Sequence, residues 1–334
     1  MNKIIIEQFK LLLKQIKLDI DNSSGKKQMI QMYRLKSIST ALKVIEKYNK
    51  EIKTTDDLDK LIDIKGIGKG VIKRIQEILK TGKLSEIKIS SLDEKYLKYI
   101  EELEEIFGIG RKTAYKLFKE YDIKSIDDLK KKVNKKEIDL PDNILKGLKY
   151  IDLIKDNIPR SEIDEVLNYL MYNLMTIDVK LFGTVCGSYR RLKETSGDVD
   201  FILVHSNIIT KKDTEKHNYL EILIKLLIKN GFIIDSLTGT NVNTKYMGIF
   251  KWKNNPIRRI DIRYIPYESY YSAILYFTGS KDFNKKMRQV AISFGYTLNE
   301  YGLFNEKGKM FKVESEKDIF DLLGMEYLTP DKRL

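Results

Sequence analysis

The chain has 334 residues, 42% hydrophobic and 33% charged, and its 61 Lys and Arg outnumber 48 Asp and Glu to leave a formal charge of +13. A single Cys and two His argue against a disulfide scaffold and against cysteine- or histidine-built metal centres, and no run reaches the roughly 18 apolar residues of a membrane span. The N-terminal segment breaks every apolar stretch with a charge and does not read as a secretory signal, so the expectation is a soluble intracellular protein with an anionic partner, nucleic acid foremost.

In chain order, residues up to about 155 read as helical. Ile4, Ile5, Phe9, Leu12, Leu13 and Ile16 recur at helical spacing, as do Leu35, Ile38, Leu42 and Ile45. Residues 64–75 are echoed by 106–117, each copy having an apolar stretch, a Gly-Ile-Gly turn and an amphipathic helix dense in Lys and Arg. Glycines permit a tight hairpin, and the N–H groups that open the second helix can then face a phosphate. The two copies resemble paired helix-hairpin-helix modules, which grip a nucleic-acid backbone without reading its sequence. Candidate DNA-binding residues are Gly66, Gly68, Lys69, Lys73 and Arg74 in the first copy and Gly108, Gly110, Arg111 and Lys112 in the second. The two turns are also candidate Na⁺ or K⁺ sites.

Beyond Ile158-Pro159-Arg160, which reads as a hinge, the texture changes. Runs 179–185, 199–205 and 259–264 are β-branched and aromatic, and helical stretches 162–174 and 220–229 lie among them, so an α+β region follows the helical one. Asp198 and Asp200 open an apolar run, and residues i and i+2 of a strand share a face, which sets the two carboxylates side by side. Asp261 shares a face with Arg259 and Arg263, with Ile260, Ile262 and Tyr264 on the other. Like charges so placed are costly without a cation between them, and three carboxylates on neighbouring strands form an all-oxygen site suited to Mg²⁺ or Mn²⁺ rather than zinc. Gly187-Ser188-Tyr189-Arg190-Arg191 follows a strand-like run and offers backbone N–H groups, a hydroxyl and a guanidinium to a phosphate. A phosphate cradle followed by paired carboxylates describes nucleotidyl transfer. Cys186, His205, His217 and Trp252 read as packed or solvated residues.

The segments Gly187-Ser188 and Gly197-Asp198-Val199-Asp200, then Arg258 through Arg263, Leu275 through Ser280, Phe283-Asn284, Met287-Arg288 and Asn299-Glu300-Tyr301, resemble the DNA polymerase X family of nucleotidyltransferases. The resemblance is tight from Ile158 onward and looser before it. It implies an α+β multidomain fold. A helical lyase-like domain over 1–88 would hold the first helix-hairpin-helix and bind the downstream 5′ end, and a helical duplex-binding subdomain over 89–155 would hold the second. A catalytic palm with a mixed or antiparallel sheet would cover 156–266, and a small α+β nucleotide-binding, template-checking subdomain 267–334. It further implies that Asp198 and Asp200 bind both metal ions and that Asp261 ligates the catalytic one and helps to activate the primer 3′-hydroxyl. Arg160, Ser188, Arg191 and Gly197 would hold the triphosphate. Tyr276, Phe277 and Gly279 would line the deoxyribose, with a cis peptide between Gly279 and Ser280, and Asn284 would touch the minor-groove edge of the incoming base. Lys245, Arg259 and Arg288 would contact DNA, Lys245-Tyr246 near the primer terminus and Arg288 on the template. Arg263 would pair with Asp200 in an open, inactive state.

The function so implied is a DNA-directed DNA polymerase that fills short gaps in base-excision-type repair, using two Mg²⁺ ions for which Mn²⁺ substitutes. Its partners would be gapped or nicked DNA and deoxynucleoside triphosphates, with a DNA ligase or other repair proteins nearby. It would act as a monomer away from membranes, in the nucleus if eukaryotic and in the cytoplasm or virion if viral. Two other readings stand beside it: a non-catalytic gapped-DNA-binding scaffold, and a nucleotidyltransferase acting on other 3′ ends. Template-independent members of the family tend to have Gly-Trp where this chain has Tyr276-Phe277, and the segment 245–258 is short, so template dependence is expected. Beta-like members also remove a 5′-deoxyribose phosphate through a Schiff base on a lysine. Arg74 stands at that position and cannot form one. Lys73 is the candidate nucleophile, but it faces about 100° away on the helix, so lyase activity is expected to be weak or absent. Tyr33-Arg34-Leu35-Lys36 departs from the 5′-phosphate pocket pattern yet remains basic.

Overall fold

The computed structural model describes residues 2–64, 66–154 and 156–333 and divides into two compact units, 1–144 and 145–334. The first is helical throughout: α1 (Lys3–Asp21), α2 (Gly25–Lys47), α3 (Thr55–Ile62), α4 (Lys69–Thr81), α5 (Ser91–Leu103), α6 (Arg111–Tyr121) and α7 (Ile126–Asn134), while α8 (Asp142–Tyr150) spans the boundary. Ile5, Phe9, Leu12 and Ile16 form a stripe along α1 and bury it against Ile38, Ala41 and Ile45 of α2 and Ile75 and Ile78 of α4. Both Gly-Ile-Gly segments are hairpin turns. Gly66 and Gly108 take φ of +105° and +89°, and Gly68 and Gly110 cap α4 and α6 with no side-chain hydrogen bond to the first turn. The leading N–H groups of those two basic helices are thus left without a side-chain cap.

The second unit contains β1 (Ile158–Pro159), α9 (Arg160–Ile177), β2 (Leu181–Val185), α10 (Gly187–Arg190), β3 (Thr195–Ser196), β4 (Val199–His205), α11 (Lys211–Lys216), α12 (Tyr219–Lys229), β5 (Ile233–Ser236), β6 (Lys245–Lys251) and β7 (Ile257–Tyr264). There follow α13 (Tyr270–Thr278), α14 (Lys281–Ser293), β8 (Thr297–Asn299), β9 (Gly302–Phe304) and α15 (Glu316–Leu322). The main sheet runs β2-β4-β7-β6-β5 and is mixed, with β4 and β7 parallel and the other neighbours antiparallel. One face is covered by α9 and α12, whose Leu170, Leu174, Leu223 and Leu227 pack on Phe201, Phe250, Ile260 and Ile262. Ile202 and Val204, which point the other way along β4, pack with Cys186 and with Ala273 and Ile274 of α13. A third cluster joins Leu275, Phe283 and Met287 to Ile319 and Phe320 of α15.

The sequence reading located β2, β4 and β7 but not β5 or β6. The former is only four residues long, and the latter carries Gly248 in its interior, which dilutes a strand signal. No helix among the described residues is long and apolar enough to cross a membrane.

Candidate active site

The parallel register of β4 and β7 sets Asp200 directly opposite Asp261, and Asp198 sits just ahead of β4. One carboxylate oxygen from each of the three lies within 4.8 Å of the others. Gly187 opens α10 beside them with φ of +56°, and a Cβ there would fall 2.3 Å from Asp200 Oδ2. Only glycine lets the cradle approach the carboxylate so closely.

This concentration of negative charge is only partly neutralised. The Arg259 guanidinium pairs with Asp198, and its Nε lies 3.8 Å from Asp261. Burial, reinforced by the charges of Asp198 and Asp261, pushes Asp200 up to about 7. Burial likewise lifts Asp261 to about 6 despite the opposing pull of Arg259, with Asp198 adding to the rise. Asp261 Oδ1 and Arg259 Nε are buried without a hydrogen-bond partner. An orphaned buried carboxylate oxygen facing two further carboxylates is what a divalent cation would satisfy, so the donor set fits a hard, oxygen-preferring ion.

A cavity of about 430 Å³ adjoins the carboxylates, bounded by α10 on one side and by the α13–α14 junction on the other. Ser188 and Arg191 line the first wall and Tyr276, Phe277, Gly279 and Asn284 the second. The Ser188 hydroxyl donates to Ser196 Oγ (2.8 Å), and the Arg191 guanidinium donates to the Thr278 carbonyl, so cradle and junction are joined directly. The Gly279–Ser280 peptide is cis. Asn284 donates to the Tyr276 carbonyl (2.6 Å), and Arg288, one turn along α14, lies 6.0 Å from the centre of the Tyr276 ring. Arg160 stacks 4.0 Å over the Tyr189 ring and donates to its carbonyl (2.7 Å), while Gly197 is exposed with open space around it.

Arg263 lies 5.4 Å over the Phe277 ring, and no ion pair joins it to Asp200 among the described residues. Lys245 is exposed on the same face as Arg263, its partner in the β6–β7 register, but Tyr246 is buried beneath the helices and donates to or accepts from Ser236 Oγ at 2.7 Å. In the helical unit Lys69, Lys73 and Lys112 are exposed at the starts of α4 and α6. Arg74 and Arg111 are engaged instead. Arg74 forms two contacts with Glu86 (2.5 and 3.2 Å), which also receives Arg34, and Arg111 grips Asp21 with two bonds (2.9 and 2.7 Å).

Sequence reasoning missed three features. Lys281 lines the cavity at the start of α14, and its signal was a lysine directly after Gly279-Ser280. Arg190 turns away from the cradle, pairing with Glu316 (2.9 and 2.7 Å) and with Thr278 Oγ1 (2.7 Å), and Glu316 also binds the fully buried Arg333 (2.6 Å). The buried Arg258–Glu162 pair (3.1 and 2.9 Å) ties β7 to α9. The last two join residues about a hundred positions apart, beyond the reach of local patterning.

Family models match most of the chain in succession: a helix-hairpin-helix domain over residues 2–84, the fingers domain of DNA polymerase lambda over 101–155, the DNA polymerase beta palm over 157–267 and the DNA polymerase beta thumb over 273–334. The chain is 34% identical over 316 residues to DNA polymerase lambda of Arabidopsis thaliana, covering 88% of this chain and 56% of that protein. It is 28% identical over 318 residues to DNA polymerase lambda of Rattus norvegicus (90% and 52%) and 26% identical over 294 residues to DNA nucleotidylexotransferase of Xenopus laevis (78% and 56%). The chain thus spans about half the length of the curated relatives it matches.

Proposed function

The chain belongs to the DNA polymerase X family, and on that premise we propose that it is a template-dependent DNA polymerase that fills short gaps during DNA repair. The observation that carries this reading is a cluster of three carboxylates, two of which, Asp198 and Asp200, line the same cavity as the phosphate cradle. Asp198, Asp200 and Asp261 would hold Mg²⁺ or Mn²⁺, which when bound neutralises triphosphate charge and lowers the barrier to in-line attack. Asp261, whose Oδ1 is buried without a hydrogen-bond partner, would take the proton of the primer 3′-hydroxyl. Ser188, Arg191 and the backbone of Gly187 and Gly197 would receive the triphosphate, and Arg160 would reach it from α9. The Tyr276-Phe277 pair and Gly279 would bound the sugar, and Asn284 and Arg288 would sense the base pair from α14. Lys245 and Arg259 would meet the primer strand, and the uncapped helix starts at Lys69 and Lys112 would take DNA phosphates, with the four-part division at 88, 155 and 266 separating these tasks. Single-nucleotide insertion on gapped, nicked and recessed DNA with Mg²⁺ tests the proposal. Template-directed addition strongest on the gap is expected, and addition independent of the template base would defeat it.

The same reading assigns the helical unit to binding the 5′ side of the gap without lyase chemistry. Arg74 keeps a positive charge at the lyase position, yet its guanidinium is held by Glu86 and has no amine to form a Schiff base. Borohydride trapping on an incised abasic substrate should give little covalent adduct, and a strong adduct lost on Lys73→Ala would show that Lys73 is a working nucleophile.

A further inference from the structure

A second cavity, of about 370 Å³, opens where the end of α12, β5 and the β6–β7 turn meet, within the size range of ligand pockets. Its floor is aromatic. Tyr169, Phe232 and Trp252 stand with ring centres 4.9 to 6.1 Å apart and pack on the core that includes Tyr246 and Phe250. Side chains alternate across a sheet, and Met247 is the β6 residue beside Asp261, so the aromatic floor, which packs with Tyr246 and Phe250, belongs to the face opposite the carboxylates, while Lys251 closes the cavity at the end of β6. The indole N–H is already satisfied by Glu165 (2.8 Å), so what Trp252 offers a ligand is the apolar ring surface that Tyr169, Phe232 and Lys253 leave uncovered. Ile234, 42% exposed on the sheet's edge strand, continues that surface to the rim, and Tyr172, 68% exposed one turn along α9 from Tyr169, extends it.

The rim is cationic. Lys251 lines the cavity and Lys229 precedes its residue Asn230; both are exposed and neither has an ion pair among the described residues. Lys253 lies 5.1 Å over the Trp252 ring and neutralises Glu165 (2.7 Å), so the carboxylate bound to the indole offers no net negative charge. An aromatic hollow with a positive rim matches an apolar side chain flanked by acidic residues. We propose that this face of the palm docks an acidic peptide segment of a partner protein, with one aromatic or aliphatic residue of that segment seated against Trp252.

Trp252 is the only tryptophan in the chain, so its emission reports on this cavity alone. The full chain would be titrated with an acetylated, amidated hexapeptide having Leu-Phe at its centre and two acidic residues on each side, and with the same peptide bearing lysines instead. A saturable change in Trp252 emission is expected with the acidic peptide, weakening with salt and persisting when gapped DNA is bound. Ile234→Asp, at an exposed rim position, and Lys251→Glu should each weaken binding about tenfold while the melting temperature stays unchanged. No saturable response, an equal response to the lysine peptide, or displacement by gapped or single-stranded DNA would overturn the proposal, the last by giving the cavity to nucleic acid.

Discussion

Asp200 and Asp261 are caught between burial, which makes their charge costly, and a cation-binding role, which requires it. Their raised values mean that protons occupy the cation-free site below about 7 for Asp200 and about 6 for Asp261. A divalent ion must displace those protons, so its affinity is full above the raised values and falls as the pH drops through them. Calorimetric or paramagnetic titration with Mn²⁺ should show at least about tenfold weaker binding at pH 6 than at pH 8. Affinity independent of pH over that range would mean that the carboxylates are already ionised without a cation. The three aspartates were legible in the sequence because the period-2 pattern fixes which face each occupies. Their partners were not, because Arg259 pairing with Asp198 depends on which strands become neighbours.

At the scale of elements, β4, β7 and α10 make the site, and each contributes through its backbone. The parallel β4–β7 register aligns Asp200 with Asp261, and α10 begins at a glycine whose conformation and close approach to Asp200 exclude a side chain. Gly187→Ala should cost about 1–3 kcal/mol of local strain and cut nucleotide insertion by at least about tenfold through displacement of the cradle. Insertion kinetics and thermal melting of that variant check the pair, and unchanged insertion would remove the cradle from the mechanism. The junction of α13 and α14 is held to α10 by Arg190 and Arg191, whose bonds reach Thr278 directly. Local periodicity revealed the long helices and the runs that became β2, β4 and β7. It could not supply the Arg190–Glu316–Arg333 network, where a residue next to the cradle, a helix start and the C-terminal segment converge.

For the molecule as a whole, the charge of +13 suggested an anionic partner without saying where it binds. Part of that excess is internally consumed: Arg74 and Arg34 share Glu86, and Arg111 is spent on Asp21. In the helical unit, the exposed lysines at the starts of α4 and α6, with the uncapped N–H groups beside them, stay available to an anion such as a DNA backbone. The three carboxylates run against the overall charge, and a protein that only held DNA would gain nothing from clustering them beside a polyanion. They make catalysis the central claim. The most direct measurement is single-nucleotide insertion into gapped DNA by Asp261→Ala, alongside its affinity for the same DNA. Insertion should fall by roughly a thousandfold or more while binding is retained; insertion at the unaltered rate would contradict the three-carboxylate site.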